Sequence, residues 1–164
     1  MTKKNLEKAK IIFSEAKEML KSSKLNSEQL EQKISRFITI CVASIGGLTA
    51  VLSFLKDGNF FFKAGLFILI AGFIHSLFKA IQAQKTNKFA SDGIEASTLI
   101  ENEVIDRNDE IYLMESLALT YEEKAKHNNQ VADKIGGLFN GVLRNLEKYL
   151  VVSSIAMAIG FFYP

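Results

Sequence analysis

The hydrophobic pattern divides the chain into stretches of two kinds. Phe37 to Leu55 (FITICVASIGGLTAVLSFL) carries no charge and lies between Arg36 and Lys56. As a helix it is about 28 Å long, close to the roughly 30 Å of a hydrocarbon core. Thr39, Ala43, Gly46, Ala50 and Ser53 recur at steps of 4 and 3 and so share one helix face. Ile38, Ile40, Val42, Ile45, Leu48, Val51, Leu52 and Phe54 take the other faces. A stripe of small residues lets a second helix backbone approach closely in lipid, and it can equally line a narrow pore. Phe60 to Phe78 reads as a second span after a KDGN turn, with Lys63 near its start and Gly65, Gly72, Ser76 and Lys79 along one face. His75 lies one step round, and an intramembrane histidine is a candidate for packing at the interface or for a gate.

Outside these spans the pattern is amphipathic. Over residues 2–22, Leu6, Ala9, Phe13, Ala16 and Leu20 fall on one side, widened by Ile12 and Met19. Lysines 3, 4, 8, 10, 17 and 21 take the remaining sides: a solvated face, or one for anionic lipid or nucleotide phosphate. SSKLNSE (22–28) reads as a break, with Asn26 or Ser27 capping the next helix. Residues 80–90 continue the second helix, SDG (91–93) ends it, and a shorter helix covers 94–107. From Asp92 to Glu123 there are ten acids against one base, Arg107.

Met114, Ala118, Tyr121, Ala125, Asn128, Ala132, Ile135, Phe139, Val142, Leu146 and Tyr149 then recur at alternating steps of 4 and 3, a heptad seam that predicts a long helix with a closely packed partner. Gly136, Gly137 and Gly141 offer a place to bend. The seam runs into LVVSSIAMAIGFFY, where Ser153, Ala156 and Gly160 repeat the small stripe, predicting a short third span or, as the alternative, a re-entrant or bundle-buried helix.

The expectation is an all-α membrane protein: a cytoplasmic amphipathic helix (1–33), a transmembrane hairpin (34–79), a cytoplasmic helical stalk (80–148) and a C-terminal transmembrane segment (149–164), assembled as a homo-oligomeric bundle, with a tetramer as one stoichiometry. Basic residues flanking the spans favour a cytoplasmic N-terminus. Composition agrees: one proline, Pro164, and ten glycines suit long unbroken helices. A net charge of +2 does not by itself point to nucleic acid, and the single cysteine, Cys41, excludes an intrachain disulfide framework. The first 33 residues are too charged for a signal peptide. Phosphate loops, dinucleotide glycine patterns and nucleophile elbows are absent, and His75 and His127 lack metal-ligand spacing. The chain reads as a non-enzyme without a cofactor.

Copies meeting through their small faces would leave a weakly polar path lined by Thr39, Ser53 and Ser76, with the acidic 92–123 segment drawing cations to its mouth. A membrane scaffold recruiting a cytoplasmic partner, and a holin-like or toxin-like lesion former, are the alternatives. The layout resembles small bacterial anti-phage membrane effectors of the SLATT type. The segment LTYEEKAKHNNQVADKIGGLFNGVL (119–143), with Tyr121, Asn128 and Lys134, is similar to the tail of three-span, Hailong-type channel effectors. The resemblance implies an oligomeric channel in the bacterial inner membrane, gated by a nucleotide or single-stranded DNA oligomer that a neighbouring nucleotidyltransferase makes, and depolarisation on infection. Such a ligand needs a basic cytoplasmic surface, for which Lys85, Lys88, Lys124, Lys126, His127, Asn129, Lys134 and Arg144 are the candidates.

Overall fold

The computed structural model describes residues 3–55, 59–85, 89 and 110–162. These form three helices, α1 (Lys3–Phe54), α2 (Phe60–Lys85) and α3 (Glu110–Phe162), and among the described residues there is no strand. The helix expected over 94–107 lies outside the described residues, as does Lys88. The chain divides into two units, Met1–Gln29 with Lys88–Asp133 and Leu30–Asn87 with Lys134–Pro164.

The first unit is built on a seam between α1 and α3. Ala9, Ala16 and Leu20 of α1 and Ala118, Ala125 and Asn128 of α3 are buried, and the Phe13 and Tyr121 rings stack at 5.7 Å. Asn5 to Ile12 sit beside Ile111 and Glu115, and Ile12 to Met19 beside Glu115 to Glu122, so the two helices run parallel here. Alanines on both sides leave little side-chain bulk, which is what lets two helix backbones come close.

The break expected at residues 22–28 does not occur: α1 is one helix of 52 residues. Ser23 and Ser27 extend the Ala9–Phe13–Ala16–Leu20 seam at steps of 3 and 4, and both are buried. Their hydroxyls donate to carbonyls of the same helix, Ser23 Oγ to Leu20 O and Ser27 Oγ to Ser23 O, each at 2.8 Å. Ser27 is therefore a satisfied seam residue and caps nothing. Polarity signals a loop only when the polar groups must find water, and here the backbone satisfies them.

The expected seam of α3 is present, with one shift: Val131 is buried and Ala132 half-buried. Adjacent positions share the seam because a helix of about 3.6 residues per turn drifts against a strict seven-residue repeat. The helix continues without interruption through Gly136, Gly137 and Gly141, where an added Cβ would meet nothing within 4 Å.

The second unit contains α2. Asn59 caps it: Phe61 N donates to Asn59 Oδ1 at 2.7 Å, and Lys63 N to Asn59 O at 3.1 Å. Asn59, the last residue of the expected KDGN turn, is thus a specific N-cap, and the other three residues of that turn lie outside the described residues. Gly65 faces Ser153 and Met157, Gly72 faces Tyr149, and Gly160 faces Phe62 and Asn59, so α2 and α3 are antiparallel. Ile34 and Cys41 of α1, Leu66, Ala80 and Ala83 of α2, and Ile135, Val142 and Leu146 of α3 are buried, and the Phe37 and Phe139 rings meet edge-on at 5.2 Å. Outward-facing Ile40, Val51, Phe67, Phe78, Val152 and Ile155 leave broad apolar surface exposed. Soluble domains rarely expose so much, and such surface marks a membrane or partner face.

Candidate functional site

The residues expected to pack or to line a pore separate into two sets with different surroundings. Thr39, Ala43, Gly46, Ala50 and Ser53 are all exposed, on the side of α1 turned away from Ile34 and Cys41. A Cβ at Gly46 or Gly47 would touch nothing within 4 Å. The hydroxyls of this region donate one turn back along the same helix: Thr39 Oγ1 to Ser35 O at 3.1 Å, Thr49 Oγ1 to Ile45 O at 2.7 Å, and Ser53 Oγ to Thr49 O at 2.9 Å. The face is small and flat, with its polar groups already satisfied.

Gly72 and Ser76 of α2 belong instead to the interior of the unit. A Cβ on Gly72 would lie 2.5 Å from Tyr149 Cβ, and one on Gly65 would lie 2.9 Å from the Ser153 carbonyl oxygen. The two glycines, one heptad apart, create the close approach of α2 to α3. Ser153 Oγ uses that closeness to donate to Gly65 O across the helices at 2.8 Å. Ser76 is fully buried and its Oγ has no hydrogen-bond partner among the described residues. His75 is exposed, its ring 6.1 Å from that of Tyr149.

Removing the Ser153 hydroxyl tests the cross-helix bond. Ser153→Ala is expected to destabilise α2–α3 packing by only about 0.6 kcal/mol, the usual worth of such a bond inside a membrane. A double-mutant comparison with Gly65→Ala by detergent unfolding measures it, and strict additivity of the two changes would speak against the bond.

The basic ligand candidates fall in both units, Lys88 lying outside the described residues. Lys124 is half-buried in the first unit, where Lys126, His127 and Asn129 are exposed. In the second unit Lys134, Arg144 and Lys85, in the last turn of α2, are exposed. Lys126 and Arg144 are eighteen positions apart, about 27 Å along a helix.

A different basic feature emerges in the first unit. Lys17, Lys21 and Lys24 border a groove of about 380 Å³ with Leu20, Leu25, Glu28 and Tyr121. Lys21 lies 3.9 Å from Glu18 and Lys24 4.0 Å from Glu28, both exposed pairs of small energetic weight. Lys17 has no ion pair among the described residues. The signal in the sequence was the spacing of 4 and 3 between these lysines; reading 22–28 as a break hid the third of them.

Together these features define the class: a protein that is helical throughout its ordered elements, with three helices among the described residues long and apolar enough to cross a membrane. No family model, curated protein or solved structure matches the chain.

Proposed function

We propose that the chain is the subunit of a homo-oligomeric membrane effector, a gated ion channel controlled by a nucleotide or short oligonucleotide, that depolarises a bacterial cell in anti-phage defence. In this reading the N-terminus is cytoplasmic and the channel sits in the inner membrane. One observation carries the proposal: the small-residue face of α1, Thr39 to Ser53, is left outside the core of its own chain. A membrane helix with such a face unused has a surface shaped for close approach by another helix, and several copies meeting there enclose an axis.

Planar-bilayer recording of the purified chain, with and without nucleotides and short DNA oligomers, tests it. The wild type should pass small ions, and Gly46→Leu, which projects bulk from a position with nothing near it, should abolish the current while leaving the fold intact. Silence under every ligand would overturn the channel reading. One feature favours a sealed scaffold as the second reading: the hydroxyls of Thr39 and Ser53 are already bonded to their own helix and present no free donor to an ion path. A scaffold predicts stable oligomers with no conductance.

A further inference from the structure

We propose that the first unit carries a head-to-tail docking surface for a second copy of this chain, in which the lysine-bordered groove of one subunit receives the glutamate-bordered groove of the next. The proposal rests on the self-association in the functional reading above and deepens it by naming the interface outside the spans. On α1, Lys17, Lys21 and Lys24 each follow a seam residue by one position, whereas Ile12, Glu15 and Met19 each precede one. At about 100° per residue the two sets lie on opposite flanks of the seam. The second flank forms a groove of about 430 Å³ in which Ile12, Glu15 and Met19 meet Glu115, Leu119 and Glu122 of α3.

Both grooves therefore have an apolar floor and charged borders of opposite sign. Ile12, Met19, Leu25 and Leu119 are 50%, 52%, 54% and 62% exposed, although they lie in charged stretches away from the lipid-length segments. Glu15, Glu115 and Glu122, like Lys17, have no ion pair among the described residues. A two-fold dimer formed through either groove alone would place like charge against like, which opposes association. Joining unlike faces repeats the same contact from subunit to subunit, the head-to-tail arrangement that forms a ring when its rotation closes.

Charge exchange in the full-length chain tests this, read by native mass spectrometry and cross-linking in nanodiscs. Lys17→Glu with Lys21→Glu, and separately Glu115→Lys with Glu122→Lys, should each reduce the oligomer fraction at least about tenfold with helicity unchanged, because like charges then face each other. All four substitutions in one chain should restore it. Either pair leaving assembly untouched, or the fourfold chain assembling no better than the pairs, overturns the interface, while conductance of the wild type can still stand. Restored assembly with no current in any chain supports the interface and counts against the channel alone.

Discussion

Gly65→Val is expected to destabilise the packing of α2 on α3 by about 3 kcal/mol, the upper part of the range for overpacked interiors. The physical cause is specific. A Cβ at Gly65 would lie 2.5 Å from Met157 Cγ and 2.9 Å from the Ser153 carbonyl oxygen. The methionine side chain can swing aside, but the carbonyl belongs to the α3 backbone, so the helices must separate. Separation also breaks the bond from Ser153 Oγ to Gly65 O. Gly46→Ala is the matched control: nothing lies within 4 Å of its Cβ, and alanine should strengthen the helix by up to about 1 kcal/mol. Cys41 is a built-in probe, being the only cysteine and fully buried. The rate of maleimide labelling across an SDS titration reports opening of this core. Gly65→Val should move the midpoint to much lower SDS, and an unchanged midpoint would contradict the glycine contact.

Asn26→Pro is expected to cost the first unit about 3 kcal/mol or more, because proline inside a helix removes a hydrogen bond and clashes with the carbonyl one turn back. Asn26 is exposed, so the substitution leaves the seam side chains in place and acts through the backbone. The same change in a loop would be nearly neutral. Amide hydrogen exchange separates the two cases. Backbone amides through residues 22–28 should be protected in the wild type, and proline should remove that protection for about a turn on either side. Fast exchange there in the wild type would show that α1 is broken where its sequence is most polar.

These two positions mark the limit of what residue patterns convey. The uncharged run 37–55, the second run from Phe60 and the seam from Met114 to Tyr149 were all legible, because burial against lipid or a partner helix imposes a period that composition displays directly. The polar cluster 22–28 misled for the converse reason. A buried serine whose hydroxyl bonds to its own helix looks, in a sequence, like a solvated one. The small-residue stripes were legible as residue types and not as an arrangement. Gly46 and Gly72 belong to similar small-residue stripes, yet one touches nothing and the other is packed on Tyr149.

What the order of residues determined alone is the helical class, the number of helices suited to lipid and the seam of α3. Each follows from periodicity and length, which are properties of one helix considered by itself. Which small face is covered depended on tertiary structure, as did the unbroken course of α1 and the placing of lysines and glutamates on opposite flanks of one seam. These follow from which surfaces meet, and a helix carries several surfaces of nearly equal merit. The partner that arrives selects among them.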